Sequence, residues 1–428
     1  MGSENRPASL LRNEIAGIPV AELAQRFGTP TYIYDADRIR EQISRLSAFD
    51  VIRYAQKANS NLAILDLCRR AGVVLDATSS GEIHRALRAG YAPSGDPAPI
   101  VYTADIFDRE ALDLVVEKGI AVNCGSEDMI EQYGARMNGG EITLRINPGF
   151  GHGHSQKTNT GGEQSKHGIW HEELSACLER AAHPHGIEVT GIHVHIGSGA
   201  DMDHLAQVAG AAAGFARVVG PAVTRISAGG GLPTPYREDD PEIDLASYYE
   251  IWDRERRALE EEFGHPVELE IEPGRFLVAE AGVLLCEIRA IKQTGKHTFY
   301  LVDAGFNTLA RPVLYGAYHP MSLAPADGSD AARPLQDVVV GGPLCESGDI
   351  FTQEEGGYVR PQPLPEAAVG DHLLIECAGA YGFVMGSNYN SKPLSAEVLV
   401  SGGKAHCVRE RQSLADLVRG ESIPDLQT

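Results

Sequence analysis

No run of eighteen apolar residues occurs in the sequence, so no helical membrane span is expected. Met1 to Pro7 is polar and lacks the apolar stretch of a secretion signal. Arg6 stands where a myristoylation signal needs Ser or Thr. The cytosol is the expected location, and no membrane partner is expected. Cysteine is sparse: the seven residues are scattered, odd in number and without a CxxC pair. That excludes a disulfide frame and argues for reduced thiols. Positive charge is also short, with 37 Lys and Arg against 59 Asp and Glu and a net charge of -22. Such a surface repels phosphates, so nucleic acid is not an expected partner. A small acidic substrate stays compatible, because a few local arginines can outweigh the global field. The GxGxxG spacing is missing, which disfavours a nicotinamide cofactor.

What is present is a chain of 428 residues, too long for one ordinary core. From residue 51 it alternates β-rich runs with helical stretches. The runs are Val51–Lys57, Val73–Thr78, Pro99–Ala104, Ala121–Gly125, Thr143–Asn147, Val189–Ile196, Thr224–Ala228 and Val267–Glu272. Eight such runs, with helical segments between them, predict a (β/α)8 TIM-type barrel. A doubly wound open sheet gives a similar alternation. After Arg275 short β-runs follow one another without long helices: Val283–Ile291, Thr298–Val302, Val338–Val340, His372–Glu376 and Ala396–Val400. These predict a C-terminal all-β domain, sandwich- or barrel-like. The expected division is a barrel over 36–275 and a β domain over 276–428 joined by 1–35. The early run Thr29–Tyr34 fits either. The loop Pro148–Lys166, rich in Gly, His, Ser, Thr and Asn, follows a strand end and is expected to be functional.

The unusual polar residues cluster at the C-terminal ends of the eight runs, the end where barrel active sites sit. Lys57 ends the first run, Asp76 lies near the end of the second, and Arg145 is in the fifth. His195 ends the sixth, Gly229-Gly230-Gly231 the seventh and Glu272 the eighth. Lys57 offers an amine that desolvation would make nucleophilic toward an aldehyde cofactor; alone, it equally reads as a solvated surface lysine. The glycines could turn backbone N–H groups toward a phosphate, or form only a tight turn. Glu272, in Glu272-Pro-Gly-Arg275, could keep a pyridine nitrogen protonated, or form an ion pair at a β-turn. His193 and His195 alternate about Val194, so both point to one face of the strand, a spacing that could ligate zinc. No Asp, Glu or Cys at ligand spacing completes a set, so no metal is expected. His152 and His154 raise the same question with the same answer. Cys345, beside Glu346 in a Gly/Pro-rich loop, is a candidate proton donor.

In their order and spacing these motifs resemble the diaminopimelate decarboxylases. These are pyridoxal 5'-phosphate (PLP) enzymes with an alanine-racemase-type barrel and a β domain. The resemblance runs from about Phe27 to Leu417 and is carried by Tyr54–Asn61, Asn147–Trp170, His193–Gly199, Glu272–Arg275, Asp303–His319, Gly342–Asp349 and Gly379–Pro393. It implies that Lys57 holds PLP as a Schiff base, with His195 stacked on the ring and Glu272 on its nitrogen. Arg145 would lie near the ring oxygen, and Asp76 matches a cofactor-site position of unassigned role. Ser198, Gly230, Gly231, the Gly274 backbone and Tyr381 would hold the phosphate. Arg275, Arg311 and Tyr315 would bind a distal carboxylate, with Tyr381 also at the substrate. Glu346 would read the distal ammonium, and Cys345 would protonate the product carbon. The substrate implied is a small diamino acid, meso-diaminopimelate, and the product lysine. The assembly implied is a homodimer with shared active sites. One departure is Gly386, where the family pattern has serine; no consequence is expected. Related decarboxylases acting on carboxynorspermidine, ornithine, arginine or carrier-bound glutamate stay open as alternatives. So do an amino-acid racemase and a non-catalytic PLP-binding homologue. A racemase would need a tyrosine base where this chain has Cys345, and a non-catalytic homologue would be expected to have lost Lys57, Glu272 or Cys345.

Overall fold

The structure is a computed structural model that describes residues 10–151, 160–195, 197, 199 and 201–426. It divides into two compact units. One is Arg38–Val278; the other combines the N-terminal segment to Asp37 with the chain from Ala279 onward.

Arg38–Val278 is a closed parallel barrel. Its strands, in order, are Val51–Ala55, Val74–Ala77, Ile100–Ala104, Ala121–Cys124, Gly140–Asn147, Ile187–His193, Arg225–Ser227 and Glu268–Ile271. Each pairs with the next, and the eighth pairs with the first, which closes the sheet. Six of the eight β-runs read from the sequence contain one of these strands, and the runs Thr143–Asn147 and Val189–Ile196 overlap strands that begin two or three residues earlier. The helices between them start where side chains satisfy free N–H groups: Asn61, Ser79, Asp108, Ser126, Asp201 and Asp244 each cap one.

The barrel interior departs from the aliphatic filling usual for this fold. Arg53 of the first strand and Glu270 of the eighth form a buried ion pair, Nη2 to Oε1 2.7 Å. Arg53 also donates from Nη1 to the Ala98 carbonyl at 2.8 Å. Burial opposes the Arg53 charge, but Glu270 more than offsets this and raises its pKa. Asn123, Thr143, Ser227 and Glu272 join the pair around a cavity of about 160 Å³.

In the other unit Thr31–Asp35 lies between Gly282–Thr294 and Ala396–Ser401, antiparallel to the first and parallel to the second. This places the early run of the sequence with the β domain. The same mixed sheet includes His297–Val302, Leu335–Gly341, Gln362–Pro365 and Lys404–Arg409. His372–Ile375 pairs with both Gly282–Thr294 and Met321–Ala324. Ile15, Leu23, Ile33, Leu285, Leu374 and Val398 belong to its apolar core. A methyl on Gly282 would stand 2.2 Å from the Gly379 Cα, so two backbones touch there. That contact holds the segment leading to Tyr381.

Candidate active site

Lys57, His195, the glycine turn and Glu272 lie just past their strands and do not end them, whereas Asp76 and Arg145 lie within theirs. The first strand stops at Ala55, and Lys57 sits in the 3-10 turn Gln56–Ala58. Lys57 is exposed. The sixth strand stops at His193, so His195 lies two residues beyond it.

Glu272 is buried one residue past the eighth strand. Its Oε2 is 2.8 Å from His193 Nε2. A carboxylate only accepts, so that nitrogen carries the hydrogen. Ser227 Oγ donates to Oε1 at 3.1 Å. Burial would raise the Glu272 pKa. The His193 imidazole, then Arg53, outweigh burial and hold it well below the usual carboxylate value. His193 was read as a candidate metal ligand; its buried partner is Glu272. Among the described residues, no group of three His, Cys, Asp or Glu is placed to hold a metal. His152 and His154 lie outside the described residues.

The same hydrogen bonds tie the glycine turn to the site. Gly229 N–H donates to Ser227 Oγ at 3.2 Å, and Gly230 N–H to His195 Nδ1 at 3.1 Å. A methyl on Gly230 would lie 2.5 Å from the Glu272 carbonyl oxygen, and one on Gly229 2.4 Å from that of Val194. Only glycine lets these loops pass so closely. The Gly230 N–H is thus engaged with His195, which bears on the phosphate role expected of it. Gly231 follows with φ +97°, open only to glycine without strain. Burial, then the charges of Arg145 and Lys57, push the His195 pKa well below its ordinary value. His195 is therefore a neutral imidazole with its hydrogen on Nε2.

Arg145 is buried, and its guanidinium shares the barrel with Asp105, Glu272 and Asp76. Asp76 is buried with no hydrogen-bond partner for Oδ1. Burial, then the nearby Glu272 charge, raises its pKa to about 7, against the pull of Lys57. Two neighbouring carboxylates are thus split: Glu272 keeps its charge and Asp76 resists ionising. Arg275 opens the turn Arg275–Val278 and donates to the Tyr236 hydroxyl at 2.9 Å. A methyl on Gly274 would lie 3.3 Å from Ala55 and Ala58. Ser198 lies outside the described residues.

The long loop after the fifth strand is pinned at its base. Asn147 Oδ1 accepts from Gly149 and Gly162 N–H at 3.1 and 2.8 Å. Asp105 takes His167 Nδ1 at 2.6 Å and Gly168 N–H at 2.9 Å.

The other predicted residues belong to the second unit. Arg311 and Tyr315 begin and end one short helix. Arg311 is buried, with Nη1 2.8 Å from His319 Nε2. The helix stops at Gly316, φ +60°, where a Cβ would meet Glu355 N at 2.5 Å. Cys345 and Glu346 are exposed, and Cys345 N–H donates to Asn390 Oδ1 at 2.7 Å. Asp349 shapes this loop by accepting the Leu344 and Phe306 N–H groups, both at 2.8 Å. Tyr381 has φ +55°, rare for a bulky residue and a mark of a constrained site. At Gly386 a Cβ would stand 3.0 Å from the Phe383 carbonyl oxygen, so the space is tight. Sequence reading missed Ser227, His319, Asp349 and Asn390 as supports. Only the alternation of His193 with His195 hinted at the Glu272 clamp.

A closed barrel with a lysine past its first strand, a glycine turn past its seventh and a buried charged carboxylate past its eighth can seat an electron-poor ring and its phosphate. Residues 36–279 match the pyridoxal binding domain of the pyridoxal-dependent decarboxylases. The chain is 53% identical over 428 residues to a diaminopimelate decarboxylase of Streptomyces coelicolor, covering 99% of this chain and 97% of that one. A crystal structure of diaminopimelate decarboxylase superposes with a TM-score of 0.93 at 50% identity, covering 96% of this chain and 99% of that one. The Helicobacter pylori diaminopimelate decarboxylase complexed with L-lysine has a TM-score of 0.81 at 30% identity, over 93% and 98% of the two chains. The chain belongs to the diaminopimelate decarboxylase family of pyridoxal-dependent decarboxylases.

The split carboxylates give a pH signature. Between the unfolded value of about 4 and the native value of about 7, folded Asp76 holds a proton that the unfolded chain has lost. Its contribution to stability therefore falls as pH rises through that window. Asp76→Asn should remove this fall and leave the protein more stable than the parent above pH 7. Denaturation midpoints at pH 4.5 to 8 check it; parallel curves for the two proteins would refute the assignment.

Proposed function

We propose that this chain decarboxylates meso-2,6-diaminopimelate to L-lysine and carbon dioxide. The observation that carries the reading is the buried, ionised Glu272, clamped by His193 and Ser227 at the barrel's eighth strand end. PLP, when bound, supplies an aldehyde that captures amines and a pyridinium ring that accepts electrons. Lys57 offers the amine for that aldehyde. Glu272 would keep the proton on the ring nitrogen. His195, neutral, would pack on the ring, and Arg145 would lie near the ring oxygen. Gly231, the Gly274 backbone, Ser198 and Tyr381 would hold the phosphate, with Gly230 shaping the turn. Asp76 supplies a carboxyl near Lys57.

Arg275, Arg311 and Tyr315 bind the distal carboxylate, and Tyr381 also contacts the substrate. Two guanidinium groups suit a carboxylate because planar forks orient it as well as attract it. Ornithine lacks that group, which favours diaminopimelate. Glu346 takes the distal ammonium. Cys345 delivers a proton to the carbon that has lost carbon dioxide. The relative seen with L-lysine supports the product.

The active assembly in this reading is a homodimer in which Cys345 and Glu346 complete the partner's site. The cytosol is the location in this reading, and it is supported by seven cysteines that form no disulfide. Among the described residues, no helix is long and apolar enough to cross a membrane.

Purified protein supplied with PLP should release carbon dioxide from meso-diaminopimelate at least about thirtyfold faster than from ornithine or arginine, since a lost charged contact costs about 2–4 kcal/mol. Lys57→Ala should abolish both the release and the visible absorbance of covalently held PLP. Equal rates on all three substrates would contradict the specificity, and an unchanged spectrum would contradict the role of Lys57.

Mixing inactive Lys57→Ala with inactive Cys345→Ala under subunit exchange tests the shared site. Half the dimers become mixed, and each holds one intact site, so activity should return to roughly a quarter of the parent. No recovery after demonstrated exchange would mean that each site is built within one chain.

A further inference from the structure

The substrate arginine of the second unit rests on an unusual partner. Arg311 Nη1 is 2.8 Å from His319 Nε2, and His319 Nδ1 is 2.9 Å from the Glu376 carbonyl oxygen. A guanidinium only donates, so Nε2 must accept; a carbonyl only accepts, so Nδ1 must carry the hydrogen. Both ring nitrogens are therefore committed, and His319 is a neutral imidazole locked in one tautomer. Its side chain is buried.

The ring is held by rigid sheet. His319 and Glu376 flank the end of the ladder in which Met321 pairs with Ile375. Glu376 N–H extends that ladder by donating to the Pro320 carbonyl at 2.8 Å. The Glu376 carboxylate is anchored in turn by Ser322 Oγ at 2.7 Å and by an ion pair with Arg12. The orientation of the Arg311 fork is thus referred to two strands and the N-terminal segment.

The chemistry of this contact differs from that of an ion pair. An aspartate or glutamate at position 319 would also orient a guanidinium, but it would neutralise the charge and compete with an incoming carboxylate. A neutral acceptor aims one edge of the fork without itself cancelling its charge. We propose that His319 is a positioning residue that sets specificity for a distal carboxylate by fixing Arg311 through a neutral hydrogen bond. The inference rests on the reading of Arg311 as a substrate residue given above.

The test is the equilibrium binding of two probes to the PLP-loaded enzyme. L-Lysine keeps the distal carboxylate of diaminopimelate, and cadaverine lacks it. His319→Phe should weaken L-lysine about tenfold, a loss typical of one mispositioned hydrogen bond, and leave cadaverine within about twofold. His319→Gln offers one acceptor and one donor and should recover most of the L-lysine affinity. His319→Leu carries the same test if the Phe variant does not fold, with the visible spectrum and the thermal midpoint as folding checks. Unchanged L-lysine affinity, equal weakening of both probes, or failure of His319→Gln to recover binding would each overturn the proposal. Arg311→Ala separates the two levels. If it leaves L-lysine binding intact, the reading of Arg311 fails and the inference falls with it. If it weakens L-lysine alone while His319→Phe does not, only the role of His319 fails.

Discussion

A charge buried at the end of the eighth barrel strand organises the site. An isolated carboxylate in that position would take up a proton, because burial penalises the charged form. Glu272 stays ionised because His193 and Ser227 donate to it and the Arg53 charge lies beneath. Arg53 is itself tolerable only because Glu270 pairs with it. Glu272 also opposes ionisation of Asp76, so the negative charge concentrates on one carboxylate. A barrel packed with aliphatic side chains could not do this, which accounts for the polar interior.

The same clamp fixes the backbone. Ser227 joins Glu272 to Gly229, and Gly230 joins the turn to His195, so the ends of the sixth, seventh and eighth strands form one hydrogen-bonded unit. Side-chain volume is excluded where these loops cross, and glycine is required for steric reasons before any phosphate is considered. Positioning by neutral contacts recurs in the second unit, where His319 holds Arg311.

Much of this was legible in the sequence. Buried parallel strands read as β-branched runs separated by helical segments, and all eight were visible for that reason. Placement of polar residues at the run ends pointed to the barrel mouth. Strand boundaries were less legible: Lys57 falls in a turn because the chain leaves the sheet at Ala55. The short strands Met321–Ala324 and Gln362–Pro365 escaped notice because four residues, two of them proline in the second, carry little pattern. Partners distant in sequence were invisible. Nothing local links His193 to Glu272, or Asn390 to Cys345. The seven ordered motifs, by contrast, identified the family before any geometry was known.

Ionised Glu272 should impose a proton on the ring nitrogen of bound PLP. Nitrogen-15 NMR of the enzyme loaded with ring-labelled PLP reads that proton directly. A protonated-nitrogen shift is expected in the parent and a neutral-pyridine shift in Glu272→Gln, at a pH where both proteins are folded. A neutral-pyridine shift in the parent, or a protonated one that survives Glu272→Gln, would contradict it.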